Sequence, residues 1–521
     1  MSRPITPFER IDIRSLIDAK ATGRRDHPFL IWEPVDGQSH TWSYRDFAEA
    51  VRRFAAGLQA RGVRPSERVL IHLDNCPEGL IAWLGCAYAG AVPVTTNTKS
   101  TENDLTYFAA HSRAVAAITE PKFAELVRTA TPGVRWRAST SMVAGSKGYE
   151  SFSVIDGEPA TLTQRPHDPW APFGIQYTSG TTARPKAVLW THANALWGAR
   201  VSAMHEDLRP DDVHLTYLPL FHTNAQVYSV LASLWVGATV VLMPRFSASR
   251  FWPVSLRHGA TWTSMVPFCA KALIERPVPP NHRYRFWGNG IGAPPWDAHF
   301  GVETIGWWGM TETVTHGIVG STSLANESMA MGRPSPAYAI HVLGENGQPV
   351  QPGEVGDLLV GGVRGLSLFA EYVDDPVATA AAFNTDGLLI TGDRVRLGED
   401  GSLFFADRSK DMLKIGGENV AASEIEGIIA SVEGVAEVAV VGMPHAMLDE
   451  VPAAFVIPRA GAGADLADRI TVICREQLSD FKQPHLLRLV ETLPRSTLEK
   501  VAKAELRAML TEGREQPALS D

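Results

Sequence analysis

Short apolar runs alternate with longer segments of helical character along the N-terminal part of the chain. The runs fall at Arg68–His72, Ala91–Thr95, Val115–Thr119, Phe173–Tyr177, Val213–Leu218, Thr239–Met243, Thr261–Val266 and Arg285–Gly288. Alternation of this kind is typical of βαβ units and of mostly parallel sheets. The pattern therefore predicts a large α/β region built from stacked sheets.

The longest run of small and apolar residues, Leu80–Val94, is the best candidate in the sequence for a membrane-spanning helix. It contains Gly85, Gly90 and Pro93, and it is shorter than the roughly 20 residues that a helix needs to cross a bilayer. We interpret it as a buried helix followed by a strand.

The pattern changes near residue 335. Gly353–Gly362 and Gly387–Asp407 have the character of β-hairpins, and Asp400-Gly401 is a turn dipeptide between two apolar runs. This part of the chain predicts a small β-barrel-like subdomain.

A new α/β segment begins after Asp411. Ser423–Glu426 has the sequence of a capping box that would open a helix over Ile425–Ser431, with a strand at Val435–Val441. The polar stretch Arg408–Asp411 suits a linker. We therefore expect an N-terminal domain over residues 1–409 and a small, mobile α+β domain over residues 410–521.

Composition narrows the class of protein. A chain of 521 residues is too long for one ordinary hydrophobic core, which indicates two or more domains. A composition of 45% hydrophobic and 20% charged residues is typical of a globular protein. A net charge of −9 argues against nucleic acid or an anionic membrane surface as the main partner. The N-terminus lacks the apolar segment of a secretion signal. Scattered cysteines without a C-x-x-C pair indicate a reducing, cytoplasmic setting and no cysteine metal site: Cys76, Cys86, Cys269 and Cys474.

The segment Tyr177–Lys186, reading Y-T-S-G-T-T-A-R-P-K, carries the strongest chemical signal. A loop of small residues between a strand and a helix commonly wraps phosphate oxygens, because glycine admits the backbone and N–H groups, hydroxyls and lysine donate. It is not a Walker A loop, since Pro185 and Ala187 replace the second glycine and the Mg²⁺-binding hydroxyl. A hydroxyl-rich surface loop is the alternative.

Further signals are weak one by one. Trp308–Glu312 (W-G-M-T-E) offers a carboxylate for a hard cation, although a buried glutamate is more often structural. Leu388–Asp393 ends in T-G-D, whose aspartate could bind paired ribose hydroxyls, although an isolated aspartate in such a position is more often a turn or cap residue. Lys414–Asn419 is a glycine turn, and Pro494–Lys500 carries a lysine that alone indicates only solubility.

In their order and spacing these blocks resemble the adenylate-forming superfamily of acyl- and aryl-CoA synthetases, peptide-synthetase adenylation domains and luciferases. The resemblance runs from about Phe29 to Lys503. His72–Glu78 and Asp211–His222 are most similar to the branch that includes carnitine-CoA-ligase-like enzymes.

The resemblance implies two reactions: a carboxylic acid attacks the α-phosphorus of ATP to give acyl-AMP and pyrophosphate, and coenzyme A then accepts the acyl group. Catalysis would rest on positioning and charge neutralisation. Glu312 would hold Mg²⁺ and Thr311 would touch the α-phosphate. The implied ATP-binding residues are Thr178, Ser179, Gly180, Thr181, Thr182, Lys186, Gly290, Gly292, Ala293, Pro294, Trp308, Gly309, Met310, Thr311, Asp393, Arg408 and Lys500.

The resemblance also implies a moving domain. Lys500 would bridge the carboxylate and the α-phosphate in the first step, and Lys410 would be the hinge. Rotation would withdraw Lys500 and bring Gly416 and Gly417 to the pantetheine tunnel. His222 would lie near the reacting carboxylate and the entering thiol; a packed histidine is the alternative.

The implied acid pocket consists of His222, Asn224, Val227, Met265, Gly288, Asn289, Gly290 and Gly309. Its glycines predict room for a bulky, largely apolar acid rather than acetate, with Asn224 and Asn289 meeting one polar substituent. The alternative is that Trp287 and Trp308 fill the space and leave a short pocket.

Some residues depart from the family pattern. Glu499 stands where glycine usually precedes the terminal lysine, Trp308 replaces tyrosine, and Asp407 replaces the glycine before Arg408. An acid at position 499, beside Lys500, puts the efficiency of acyl-AMP formation in question. The change at Asp407, next to the linker, puts the rotation of the C-terminal domain in question.

Several functions compete. The leading hypothesis is an ATP-, Mg²⁺- and coenzyme-A-dependent acid–thiol ligase. Delivery to a separate acyl-carrier protein is the alternative, because no carrier module follows Lys500, and a homodimer is left open. The residues after Phe221 argue against an amino-acid substrate. A luciferase-like oxidase has little support, and a non-enzymatic relative is disfavoured because Lys186, Glu312 and Lys500 are all present.

Overall fold

A computed structural model describes residues 5–141, 148–178, 185–344, 346–408, 412–494, 501 and 503–512. The chain divides into two compact units. The larger unit holds most of the chain up to Asp407, and the smaller unit holds the chain from Arg408 onward.

The α-helices of the described residues are α1 Ile13–Gly23, α2 Tyr44–Ala60, α3 Pro77–Ala89, α4 Glu102–Ser112, α5 Ala124–Ala130, α6 His192–His205, α7 Ala232–Val236, α8 Ala248–His258, α9 Pro267–Ile274, α10 Pro294–Phe300, α11 Pro376–Ala381, α12 Ala422–Ala430, α13 Leu466–Gln477 and α14 Lys503–Glu512. A π-helix at Asn224–Leu231 leads directly into α7.

The strands of the described residues are β1 Pro28–Trp32, β2 His40–Ser43, β3 Arg68–His72, β4 Val92–Thr95, β5 Ala114–Thr119, β6 Trp136–Ser139, β7 Glu150–Ser151, β8 Pro172–Thr178, β9 Lys186–Thr191, β10 Val213–Thr216, β11 Thr239–Leu242, β12 Trp262–Ser264, β13 Phe286–Asn289, β14 Glu303–Trp308, β15 Ile318–Val319, β16 Arg333–Pro334, β17 Ala339–Leu343, β18 Val355–Gly361, β19 Glu371–Tyr372, β20 Leu389–Leu397, β21 Leu403–Arg408, β22 Met412–Ile415, β23 Glu418–Ala421, β24 Val435–His445, β25 Asp449–Pro458 and β26 Leu486–Leu489.

Two large sheets form the α/β part of the larger unit. One has the strand order β16-β15-β14-β13-β12-β10-β11-β1-β2 and is parallel from β14 to β1. The other has the order β19-β9-β8-β4-β3-β5-β6-β7 and is parallel from β8 to β7. Each apolar run identified in the sequence overlaps one of these strands, so the predicted α/β class is confirmed.

Leu80–Val94 has the predicted form. It covers most of α3, which is buried almost throughout, and most of β4. Gly90 ends α3 at φ 88°, in the left-handed region that favours glycine. In the described part of the chain no helix is long and apolar enough to cross a membrane.

The β-rich segment forms a four-stranded sheet, β17-β18-β20-β21. Asp400-Gly401 lies in the turn between β20 and β21, as the dipeptide predicts, and the N–H of Gly398 donates to Ser402 O across that turn at 2.7 Å.

The smaller unit has its own sheet, β23-β22-β25-β24, with β26 parallel to β25. The predicted strand is confirmed within β24, but the capping box is wrong. The helix α12 begins at Ala422, so Ser423 lies inside its first turn. Glu426 instead accepts from the N–H of Val440 at 2.8 Å and pairs with Lys503, so tertiary contacts use this carboxylate.

Two clusters of buried side chains in the larger unit involve the first sheet, and the first of them also includes residues of the second sheet, such as Ile71 and Phe173. The first cluster includes Val227 and Tyr228 of the π-helix together with Trp307 of β14. The second includes Tyr217, Met265 and Trp287. Since side chains alternate along a strand, the neighbouring residues Phe286 and Trp287 of β13 pack in different clusters.

Candidate active site

Thr311 and Glu312 follow the end of β14 in a short 3₁₀ turn, Thr311–Thr313. Glu312 is only 5% exposed, and its Oε1 accepts a hydrogen bond from the Tyr372 hydroxyl at 2.8 Å. The carbonyl of Thr311 accepts from Trp190 Nε1 at 2.9 Å. Partners from β9 and β19 thus hold this turn on the second sheet.

The Tyr372 hydroxyl acts as a donor in this contact. Burial and the neighbouring Glu312 carboxylate both raise the pKa of Tyr372 above its ordinary value. The phenol therefore keeps its proton and can orient the Glu312 carboxylate at neutral pH.

Trp308 joins two blocks that are 85 residues apart in the sequence. Its Nε1 donates to Asp393 Oδ2 at 2.9 Å. The N–H of Asp393 donates to Thr391 Oγ1 at 3.1 Å, which holds the T-G-D backbone locally. The structure thus brings the W-G-M-T-E and T-G-D blocks together, and the replacement of tyrosine by Trp308 supplies an indole N–H to the carboxylate.

A buried hydrogen-bond network connects the strand before the phosphate loop to Thr311. Thr223 Oγ1 donates to Gln176 Oε1 at 2.9 Å and lies 3.4 Å from Thr311 Oγ1. Gln176 Nε2 donates to Gln226 Oε1 at 2.5 Å, and Gln226 Nε2 lies 3.1 Å from Thr95 Oγ1. Sequence reasoning missed this network, because no local motif marks residues brought together from β4, β8 and the π-helix.

The predicted phosphate loop, Tyr177–Lys186, is described only at its ends. Thr178 ends β8 and Lys186 begins β9, and both are partly exposed. Ser179, Gly180, Thr181 and Thr182 lie outside the described residues, as do Lys410, Lys500 and the side chain of Arg408.

The predicted adenine segment connects β13 to α10. Its backbone is fixed by hydrogen bonds from Gly292 N to Ala330 O at 2.9 Å and from Ala293 N to Thr304 Oγ1 at 2.7 Å. Pro294 is the first residue of α10, where a missing N–H is tolerated.

The predicted tunnel glycines form the turn between β22 and β23 of the smaller unit. Gly416 and Gly417 have φ values of 57° and 86°, which favour glycine. The N–H of Gly416 donates to Leu448 O at 2.8 Å.

His222 lies just before the π-helix and is partly exposed. Its N–H donates to Pro219 O at 3.0 Å, and its C=O accepts from Gln226 N at 3.1 Å. Asn224, the first residue of the π-helix, has a buried Oδ1 without a hydrogen-bond partner among the described residues. Such π-helical turns are frequent at functional sites.

The predicted pocket glycines do not all leave open space. A Cβ on Gly288 would lie 1.6 Å from Trp307 Cη2, and a Cβ on Gly309 would lie 2.6 Å from the Tyr228 hydroxyl. A Cβ on Gly290 would have no described atom within 4 Å. The expectation of three open glycines is therefore wrong for Gly288 and Gly309, whose missing side chains admit aromatic groups.

The side chains of the predicted pocket residues do not all pack together, although the N–H of Met265 donates to Gly288 O at 2.7 Å. Val227 packs towards Gly198 of α6 in the first cluster, whereas Met265 belongs to the second. Asn289 Nδ2 donates to Ile291 O at 3.1 Å, and alternation along β13 places Asn289 with Trp287, opposite Gly288. The pairing of Asn224 and Asn289 on one substituent is not supported.

The ring that occupies this space is Trp307, not Trp287 or Trp308. The Trp307 ring stacks on the His316 ring, with centroids 4.5 Å apart, and the centroid of the His316 ring lies 3.9 Å from that of the Tyr228 ring. Both His316 nitrogens are buried with no partner in the described ranges. Burial, with a contribution from His205, holds the pKa of His316 well below its ordinary value, so this wall is uncharged.

No group of three or more metal-binding side chains occurs among the described residues. A divalent cation here would use a single carboxylate together with phosphate oxygens and water, which is the usual arrangement for Mg²⁺ bound with a nucleotide. Glu312, buried beside Thr311, fits that requirement.

Comparison with known proteins follows the same division of the chain. Residues 17–373 match the family model described as AMP-binding enzyme, and residues 424–500 match the AMP-binding enzyme C-terminal domain. A crotonobetaine/carnitine–CoA ligase of Salmonella paratyphi C is 32% identical over 95% of this chain and 99% of its own length.

Solved structures are similar over nearly the whole chain. An o-succinylbenzoate CoA synthetase from Bacillus subtilis has a TM-score of 0.81 at 26% identity, covering 95% of this chain and 98% of its own. A fatty acyl CoA synthetase from Mycobacterium tuberculosis has a TM-score of 0.69 at 25% identity, covering 96% and 98%.

Proposed function

The chain belongs to the AMP-binding enzyme family, and from that membership we propose how its residues carry out the reaction and which acid they accept. It is an AMP-forming acyl-CoA synthetase. With ATP it converts a carboxylic acid into acyl-AMP and pyrophosphate, and it then transfers the acyl group to coenzyme A.

In the first step, negative charge grows on the phosphoryl oxygens as the carboxylate attacks the α-phosphorus. Thr178–Lys186 would hold the β- and γ-phosphates, Thr311 the α-phosphate, and Asp393 and Arg408 the ribose. Lys500 would neutralise charge between the carboxylate and the α-phosphate. The Trp308–Asp393 and Trp190–Thr311 contacts support these assignments, because they orient both groups before ATP arrives.

Mg²⁺ would be held by Glu312 together with ATP phosphate oxygens. The ion supplies positive charge that offsets the developing negative charge. The support within this chain is the Tyr372 hydroxyl bond, which fixes one oxygen of a buried carboxylate beside Thr311.

The second step would need a rotation of residues 410–521 against residues 1–409, with Lys410 as the hinge. This movement would withdraw Lys500 and bring Gly416 and Gly417 to the thiol. The support is that the smaller unit has a hydrophobic core of its own, which includes Ile425, Val440 and Ile470, as a body that moves rigidly requires.

We infer an acid with an uncharged tail. The single observation that carries this is the wall formed by Trp307, His316 and Tyr228, in which burial keeps the imidazole neutral and the phenol protonated. A tail with a net charge would lose its hydration here, and that loss is costly in a buried site.

A pyrophosphate-release screen tests the proposal. The acids would be crotonobetaine, carnitine, benzoate, o-succinylbenzoate and linear fatty acids of increasing length, each with and without coenzyme A. We expect acids with an uncharged tail to be preferred over acids whose tail carries a charge. A preference for carnitine or crotonobetaine would overturn the uncharged tail, although not the ligase activity.

The alternative acceptor is a separate acyl-carrier protein. AMP release that depends on coenzyme A supports the CoA ligase, whereas release that depends only on added carrier protein supports the alternative.

A cytoplasmic location is also proposed, on the ground that Cys76, Cys86, Cys269 and Cys474 form no disulfide in the structure.

A further inference from the structure

We propose that Trp307 is the residue that limits the length of the acid substrate. The inference rests on the proposed function, because it takes the acid to lie between the ends of β13 and β14 and the π-helix. Trp307 directly precedes Trp308, the partner of Asp393, and His222 directly precedes the helical turn that carries Tyr228.

The first observation is the fit between Trp307 and Gly288. The two residues lie on the neighbouring parallel strands β14 and β13, where Gly288 pairs with Ile305. Three atoms of the indole, Cη2, Cζ3 and Cζ2, lie 1.6, 2.0 and 2.4 Å from the position of a Cβ on Gly288. The six-membered ring therefore occupies the volume that a side chain at position 288 would fill.

The second observation is that other rings hold the indole in place. It stacks on His316 with an interplanar angle of 18° and meets Tyr228 edge-on at 5.5 Å. Aromatic contacts of this kind restrict a ring to one orientation. Trp307 is therefore a fixed barrier in the resting protein.

Open space begins at Gly290, two residues beyond Gly288. A Cβ on Gly290 would meet no atom of the described chain within 4 Å. In the proposed arrangement the acid tail would lie along this open space and would meet the indole beside Gly288.

Removal of the indole would convert the barrier into a cavity with Gly288 at one side. Apolar cavities of this size stay dry and accept apolar ligands. Each additional buried methylene would raise kcat/KM about fourfold. We expect Trp307→Ala to shift the preferred linear acid by about two to three methylenes towards longer chains, and Trp307→Phe to shift it less.

The test compares how activity depends on the length of the acid, rather than activity on a single acid. Wild type, Trp307→Ala and Trp307→Phe would be assayed for pyrophosphate release on linear acids of increasing length. Trp262→Phe is the matched control for Trp307→Phe, because Trp262 is fully buried in the same cluster, at the start of β12. The control should keep the wild-type length preference.

A second pair of variants keeps the test valid if Trp307→Ala is poorly folded. Gly288→Ala should impair activity, because its Cβ collides with the indole. Gly288→Ala combined with Trp307→Ala should recover activity, with a preference between those of wild type and Trp307→Ala. Such rescue would not arise if each residue only supported the fold separately.

Binding can be measured without turnover by the shift in melting temperature that alkyl esters of AMP of increasing chain length produce. Wild type should respond most to short chains and Trp307→Ala to longer ones. An unchanged length profile in folded Trp307 variants, by turnover or by binding, would overturn the proposal. A wild type that binds these esters but releases no pyrophosphate with any acid would instead contradict the proposed function.

Discussion

At the scale of single residues, the candidate site depends on side chains held by partners distant in the sequence. Glu312 is oriented by Tyr372, and Asp393 by Trp308. Both carboxylates are thus oriented by neutral donors, which fix their geometry and leave their charge available for the cation and the ribose that we propose they bind.

Glu312→Gln should raise the Mg²⁺ concentration required for half-maximal adenylation, because a neutral amide is a poor ligand for a hard cation. The measurement is a Mg²⁺ titration of pyrophosphate release at saturating ATP. Tyr372→Phe is the comparison, since it removes only the orienting hydroxyl and should have a smaller effect. An unchanged titration in Glu312→Gln would move the metal site elsewhere.

Trp308→Phe should weaken ATP binding while leaving the acid largely unaffected. The substitution keeps an aromatic ring but removes the donor to Asp393, and a hydrogen bond to a charged group contributes about 1.5–3 kcal/mol. We expect KM for ATP to rise roughly 10- to 100-fold. A rise confined to the acid would show that Trp308 belongs to the acid pocket instead.

At the scale of elements, the π-helix is the piece that joins the two large sheets around the site. It contacts β10 and β12 of the first sheet, while Gln226 and Thr223 reach Gln176 and Thr95 of the second. The wide π turn places Gln226 and Thr223 on the same side of the helix as Thr311.

Gln226→Met should cost about 1–3 kcal/mol in the free energy of unfolding, because it leaves buried partners at Gln176 and Thr95 unsatisfied. Adenylation should also slow, because the strand that leads to the phosphate loop loses its link to Thr311. Urea unfolding and single-turnover adenylation would be measured together. Full stability with slow adenylation would still support the positioning role, whereas wild-type rates would exclude it.

At the scale of the whole molecule, the reaction divides into two steps that one domain movement should separate. Lys500→Ala should abolish acyl-AMP formation but spare thioester formation from supplied acyl-AMP, with a loss of about 3–4 kcal/mol by analogy with oxyanion donors. Lys410→Pro should do the reverse, because proline would fix φ at the proposed hinge. Each half-reaction would be assayed separately. Equal loss of both in Lys500→Ala, or normal turnover in Lys410→Pro, would contradict the rotation.

Local pattern was sufficient for the strands, for the α/β class and for the order of the chemical blocks. Alternating runs such as Arg68–His72 and Val213–Leu218 carry their own periodicity, and W-G-M-T-E carries its own functional groups. Family membership follows from these local features, because the same residue types recur in the same order.

Only tertiary structure decided which side chains share a space. Gly288 was expected to leave room, yet Trp307 from the neighbouring strand fills it; Ser423–Glu426 was expected to cap a helix, yet Glu426 binds Val440 and Lys503. Asn224 and Asn289 were paired, yet alternation along β13 turns Asn289 towards Trp287. The physical reason is common to all three. A local pattern sets the type of element and the spacing of its faces, but strand register and packing determine which distant residue meets each face.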